Sequence, residues 1–287
     1  MQTGWLIYSK SDAKENKSFI NWCMEEASLQ DINLKLVLHE DIEIGVISNQ
    51  LSCQINGQPT DLPDIAIVRT IDFLLSLQLE AMGVNVFNSS EVSKVCNNKA
   101  LTHFMIRKLN VPMLDTLFIK AENLTNQPPM SYPFVVKDAE SRGGKHVYLI
   151  KNQVEWTKNL TLLSSNKLII QSCNVQLGKD LRVFVVGKKI IGGVLRQSTT
   201  DFRANFKLGG SAVWYDLSSH EEQIINKIIS HFDFGMVGID FLIDHKGDLL
   251  FNEIEDVVGS RILSKVSNKN IVREYMTYIK NRLYSRH

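Results

Sequence analysis

Three acidic residues near the C-terminus offer the clearest chemistry in this sequence. Asp240 lies in Gly238-Ile239-Asp240-Phe241, and further on Glu253 and Glu255 flank Ile254. On an extended strand, side chains two apart share a face, so Glu253 and Glu255 project together. Asp240, on a strand paired with theirs, can join them. Three carboxylates gathered on apolar strands repel one another unless a cation stands between them. Hard oxygen donors of this kind suit Mg²⁺. The competing description is a solvated acidic edge.

Basic residues supply the complementary charge. Lys137 closes the apolar run Phe134-Val135-Val136 and precedes Ser141-Arg142-Gly143-Gly144-Lys145. A lysine at such a strand end can reach a phosphate while backbone N–H groups of a glycine loop surround it. The spacing is not that of a Walker A loop. Arg182 follows Gly178-Lys179-Asp180-Leu181, and Arg203 and Asn205 stand in Asp201-Phe202-Arg203-Ala204-Asn205, shortly before Gly209-Gly210-Ser211. Guanidinium groups grip phosphate or carboxylate through a two-pronged fork and stay charged at any working pH. Arg69, in Val68-Arg69-Thr70, is a further candidate for holding a carboxylate, with an ordinary surface arginine as the alternative.

These residues must be positioned by a chain of 287 residues, a length that suits two or three small domains sharing an interface. A net charge of +1 provides no global field for nucleic acid or an anionic membrane. Cys23, Cys53, Cys96 and Cys173 are scattered without a C-x-x-C pair, which predicts reduced, buried thiols in a cytoplasmic protein. No signal-peptide pattern opens the sequence and no apolar run is long enough for a bilayer.

The first ninety or so residues alternate strand and helix: strands at Trp5–Tyr8, Leu34–Leu38, Ile65–Val68 and Gly83–Phe87, and a helix from about Ser18 to Leu29. That alternation predicts a small parallel sheet with βαβ crossovers. The first strand lacks a dinucleotide-binding G-x-G-x-x-G. Asn88–Asn110 reads as a helix or helix pair with Ser89 or Ser90 as cap. From Pro133 the pattern turns to hairpin-like strands at Phe134–Lys137, Val147–Ile150, Leu168–Gln171, Leu181–Val186, Lys189–Gly193, Val237–Ile243 and Leu249–Ile254. Glu221–Phe232 and Ile271–Leu283 are amphipathic helices, and Asp201–Ala212 is loop-like. The organisation changes near Glu91–Lys99.

Taken in order, these segments resemble the ATP-grasp superfamily, and within it the RimK-type, alpha-L-glutamate ligase-like carboxylate–amine ligases. Lys99 in Asn98-Lys99-Ala100 matches the family's first phosphate-binding lysine, and Pro133–Lys137 the strand carrying the second. Ile169-Ile170-Gln171-Ser172-Cys173 matches its adenine-binding hinge, Asp180–Gly187 its D-I-R-x-x-V-V-G segment, and Asp201–Asn205 its D-F-R-x-N segment. Three positions depart, the first being the hinge, which carries Ser172 where an acidic residue is commoner. The family's E-V-N becomes Glu253-Ile254-Glu255, and its N-A-S-P-G continuation becomes Asp256-Val257-Val258-Gly259-Ser260.

The resemblance implies a mixed α/β and α+β chain: an open parallel α/β domain over residues 1–96, then an ATP-grasp domain over 97–287 whose lid spans about 113–173. It implies ATP, with Mg²⁺ or Mn²⁺ held by Asp240, Glu253 and Glu255. Lys99 and Lys137 then neutralise phosphates, Gly143 and Gly144 cover them, Gln171, Ser172 and Cys173 hold adenine, and Asp180 completes the nucleotide set. Arg182, Arg203 and Asn205 serve catalysis. The implied reaction joins a small-molecule or peptide carboxylate to an amino-acid amine through an acyl-phosphate. A protein terminus is an alternative acceptor, and a nucleotide sensor without ligase activity the alternative function. Neither nucleic acid nor membrane is implied as a partner, and a homo-oligomer is left open.

Overall fold

The computed structural model describes residues 1–139, 146–163, 167–204 and 210–284. The N-terminal part begins with β1 (Gln2–Tyr8), α1 (Lys10–Glu15), α2 (Lys17–Ser28) and β2 (Ile32–Leu38). A small antiparallel sheet of β3 (Ile42–Ile47), β4 (Gln50–Ile55) and β5 (Gln58–Pro59) intervenes before β6 (Ile65–Val68), α3 (Phe73–Ala81) and β7 (Asn85–Phe87). The main sheet runs β2-β1-β6-β7, with each pair parallel, as the alternation of strand and helix predicts. Its centre is covered on both sides. Leu6 and Tyr8 face Ile20, Cys23 and Ala27, while Trp5 and Ile7 face Leu75 and Leu79. Double burial is why the strands read as continuous apolar runs.

The predicted helix or helix pair is a pair, α4 (Ser90–Cys96) and α5 (Lys99–Lys108). The Ser89 hydroxyl accepts from the Val92 N–H, and the Asn98 side chain accepts from Leu101 N–H, so each helix has its own cap. A four-stranded antiparallel sheet follows: β8 (Thr116–Ile119), β9 (Phe134–Asp138), β10 (Val147–Ile150), α6 (Gln153–Leu160) packed beneath, and β11 (Leu168–Ser172). The strand order is β10-β9-β11-β8, over a core of Phe134, Val136, Ile150, Trp156 and Ile170.

The remaining chain builds β12 (Lys179–Val186), β13 (Lys189–Gln197), β14 (Ser211–Tyr215), α7 (Ser219–His231), β15 (Met236–Ile243), β16 (Leu249–Glu255), α8 (Arg261–Val266) and α9 (Ile271–Tyr284). Five strands pair in the order β14-β13-β12-β15-β16. Ser218 and Glu221 form a reciprocal capping box on α7, whose Ile224, Ile225, Ile228 and Ile229 cover Leu181, Val183 and Val185. Phe184 and Val186 point the other way, into a core shared with Met276 and Ile279 of α9 and with Leu6 and Ile20. That shared core ties the parallel sheet to the five-stranded one. β14 occupies the end of the segment expected to be loop, and β3–β5, β8, α1, α3, α6 and α8 are additions to the sequence expectation. Among the described residues no helix is long and apolar enough to cross a membrane.

Candidate active site

Strand register assembles the charged centre. Arg182, Asp240 and Glu253 lie opposite one another across β12, β15 and β16, and Asp180 lies opposite Arg196 across β12 and β13. Alternation along β12 puts Asp180 and Arg182 on one face. Arg182 donates from Nε to Asp240 Oδ1 and from Nη2 to Oδ2, each at 2.7 Å. Its Nη2 also reaches Glu255 Oε1 at 2.6 Å. Arg196 grips both oxygens of Asp180 at 2.6 and 2.8 Å and donates to Asp240 Oδ2 at 2.8 Å. Asp180, Arg182, Arg196 and Asp240 are buried. Burial works against the Asp240 charge, but Arg182 and Arg196 outweigh it and hold that carboxyl down at about 2. For Asp180 burial outweighs Arg196, and the carboxyl is lifted above the usual carboxylate range.

Sequence reasoning had not singled out Arg196. Leu195-Arg196-Gln197 carries no local signal, and its partners come from register with a strand laid down earlier.

The three acidic residues predicted as metal ligands converge: Asp240, Glu253 and Glu255 each place a carboxylate oxygen within 4.8 Å of the others. A carboxylate has about four acceptor positions. Asp240 uses three on the arginines, leaving it able to accept one more ligand. Glu253 is approached by the Lys99 ammonium at 3.9 Å, and the Glu255 side chain keeps 37% of its surface exposed. This hard-oxygen set fits Mg²⁺.

Lys137 faces the carboxylates from the other sheet. On β9, Phe134 and Val136 enter the core while Val135 and Lys137 turn to the cleft. Lys137 Nζ donates to Gln171 Oε1 at 3.1 Å and Asn252 Oδ1 at 3.2 Å. The Gln171 amide nitrogen in turn donates to Thr116 Oγ1. Asn252 is placed by a β-bulge: Asp240 pairs with Glu253 and Phe241 with Phe251, so Asn252 is the extra residue of β16. Bulges of this kind re-aim a side chain beside a site. Burial, reinforced by Lys99 and opposed by Glu253, pushes the Lys137 ammonium down to about 8. Behind it, His103 Nε2 lies 2.9 Å from the Asn252 carbonyl, and burial pushes this imidazole down to about 4. A neutral ring must then carry its proton on Nε2 to donate there. Neither Asn252 nor His103 was apparent as a site residue in the sequence.

Lys99, the first residue of α5, reaches the Ala139 carbonyl at 3.5 Å. It shares a cleft with Lys137, Gln171, Ser172, Cys173, Asp180, Arg203, Asp240 and Glu253. Arg203 is bound to its neighbour Asp201, with Nη2 2.6 Å from Oδ2. Arg182 and Glu255 lie beside the cleft, joined to it through Asp240. Arg69 is buried, not at the surface, and donates from Nη2 to the Val258 carbonyl at 2.8 Å. Gly143, Gly144 and Asn205 lie outside the described residues.

Residues 94–279 match the RimK-like ATP-grasp domain family. The human N-acetylaspartylglutamate synthase A is 27% identical over 279 residues, covering 90% of this chain and 71% of that protein. The glutamate–LysW ligase ArgX of Sulfurisphaera tokodaii is 27% identical over 230 residues, covering 76% of this chain and 82% of its own. A solved structure of the ATP-grasp ligase PsnB with a precursor variant, Mg and ADP superposes with a TM-score of 0.67 at 15% identity, covering 97% of each chain.

Proposed function

The chain belongs to the RimK-like ATP-grasp ligases, and on that premise we propose that its cleft joins the carboxylate of one substrate to the amine of another through an acyl-phosphate. The observation that carries the residue assignments is the meeting of Lys99 and Lys137 with Asp240 and Glu253 in one cleft. Cations on one side and hard anions on the other are what a metal-bound triphosphate requires. Phosphoryl transfer needs positioning and charge neutralisation more than covalent help from the protein.

Asp240, Glu253 and Glu255 would hold Mg²⁺, or Mn²⁺ in its place, which supplies charge neutralisation at the transferring phosphoryl group. Lys137 and Lys99 bind phosphate oxygens. Gln171 and Asn252 keep the Lys137 ammonium aimed into the cleft, and His103 fixes the backbone that presents Asn252. Ser172 and Cys173 offer backbone groups to adenine, with Asp180 beside them. Arg182 and Arg196 stop the carboxylates repelling one another, and Arg203 is the guanidinium best placed to reach developing charge. Gly143, Gly144 and Asn205 keep the roles the family resemblance implies.

The relatives' names refer to glutamate-containing products and to peptide precursors. An amino-acid amine is accordingly the proposed acceptor, with a small molecule, a peptide or a protein terminus as the carboxylate partner, in the cytoplasm. Nothing in these relatives favours a nucleotide sensor. The test is ADP release with ATP and Mg²⁺, screened over pairs of amino acids and short peptides. A pair that stimulates release, and fails to in a Glu253→Gln variant, supports the proposal. Nucleotide binding that no pair converts to turnover counts against it.

A further inference from the structure

A second cavity, of about 320 Å³, lies at the joint between the parallel sheet and the C-terminal helix. Its walls come from the end of α3, from β7, from the turn before β15 and from α9. None of the residues placed in the ligase reaction lines it. That volume falls within the range of small-molecule sites.

One side of the cavity is apolar. Val84, Val86 and Phe87 line it, and the Tyr278 ring meets Phe87 edge to face with centroids 6.1 Å apart. The other side is charged. Among the described residues two carboxylates, Glu80 and Asp233, share it with one guanidinium, Arg282. Burial, reinforced by the Asp233 carboxylate, pushes the Tyr278 phenol up, so it stays neutral and adds nothing to that count.

Arg282 Nη2 pairs with Asp233 Oδ2 at 2.5 Å. Glu80 is matched differently. Its two oxygens accept from the Ser90 N–H and the Ser90 hydroxyl, at the start of α4. A carboxylate has about four acceptor positions, so Glu80 keeps two, and Asp233 keeps positions beyond its ion pair. The cavity also meets the last turn of α3, to which Glu80 belongs. Helix C-terminal ends favour a cation. The N-terminus of α4, which favours an anion, is already matched by Glu80. Spare acceptors, net charge and helix end all suit one kind of ligand, a cation rich in N–H donors.

We propose that this cavity binds a small organic cation, a primary amine on a short apolar chain, separately from the nucleotide cleft. The ammonium takes the open acceptor positions of Glu80, and the chain lies against the apolar wall. The inference does not depend on the ligase reading and goes beyond it. The competing role is a hydrated joint in which Glu80 merely caps α4.

NMR titration of the full chain, saturated with ADP and Mg²⁺, separates the two with n-butylamine, n-butanol and butyrate as probes. The amine should bind about 10- to 100-fold more tightly than the alcohol, the range of a charge-assisted hydrogen bond, and butyrate should bind no better than the alcohol. Glu80→Gln should erase that preference and leave Kd for ADP unchanged. Equal affinity for amine and alcohol in the wild type overturns the proposal. So does amine binding that survives Glu80→Gln, since it places the amine elsewhere, whether in the nucleotide cleft or on the surface. Should Glu80→Gln not fold, Asp233→Asn replaces it. That change unpairs Arg282, whose charge then opposes the ammonium, and amine affinity should again fall about tenfold or more. If ADP itself does not bind, the ligase reading is what has failed, and the amine titration without nucleotide still decides.

Discussion

Lys137 on the four-stranded sheet and Arg182 and Arg196 on the five-stranded sheet are all buried cations beside one cleft, but their surroundings differ. Lys137 is bonded to two neutral amides, Gln171 and Asn252. The arginines are bonded to carboxylates of Asp180, Asp240 and Glu255. Amides orient an ammonium without cancelling its charge, which is why burial can push Lys137 down to about 8. Carboxylates cancel the guanidinium charge, and that of Asp240 is itself held ionised and in place. The lysine side thus stores a demand for an anion, and the arginine side holds a fixed frame for a cation. Preorganisation of this kind lets a site neutralise charge without rearranging when the substrate arrives.

The comparison breaks if the two kinds of cation respond alike to removal. Arg196→Leu strips a partner from both Asp180 and Asp240 and leaves buried carboxylate charge exposed to low dielectric. Breaking a buried pair from one side costs about 3–5 kcal/mol, so a fall in Tm of roughly 10 °C is expected by calorimetry. Lys137→Met should do the reverse. It removes a desolvated charge that Glu253 offsets only in part, so Tm should stay level or rise. ADP release should nonetheless drop about 10²- to 10³-fold, the usual loss when one donor to developing charge is removed. A Lys137→Met protein as unstable as Arg196→Leu, or one with intact turnover, contradicts the division of roles.

A smaller effect sharpens the contrast within the lysine side. Asn252→Ala removes one of two amides that aim Lys137, at a cost of about 1 kcal/mol, so ADP affinity should weaken by about fivefold with stability little changed. An unchanged Kd would leave Gln171 as the sole orienting group.

How much of this was legible in the sequence follows from the range of each signal. The carboxylates were legible because spacing two on apolar strands fixes a shared face, and Lys137 because it ends such a strand. The βαβ alternation and the cap at Ser89 are likewise local. Arg196 and Asn252 were not legible, since one is matched through strand register and the other is exposed to the cleft by a bulge. Neither property has a local signature. β3–β5 were overlooked although a local signal was present, since Gln50–Ile55 alternates polar and apolar residues strictly. Arg69 was expected as an exposed grip or a surface charge, and only packing against Tyr8, Phe19 and Val258 reveals it as buried.

The mildest perturbation, pH, tests the same contrast without a mutation. Lys137 titrates near 8 in the folded protein against an ordinary value of 10.5, because burial disfavours its charged form. Between these values the unfolded chain binds more protons than the folded one, so the Lys137 contribution to stability rises as pH climbs through this window. Phosphate binding has the opposite sign, since only the ammonium attracts it. Above about pH 8 the free protein must take up a proton to bind, and affinity should fall by up to tenfold per pH unit. Calorimetry of ADP binding from pH 7 to 9.5, in buffers of different ionisation enthalpy, reads both the affinity and the proton uptake. The arginine side contributes no slope in this range, because guanidinium groups remain charged throughout. Lys137→Met should therefore flatten the profile. A slope that survives that substitution would assign the titration to another group and remove the argument that Lys137 is the unsatisfied cation of the cleft.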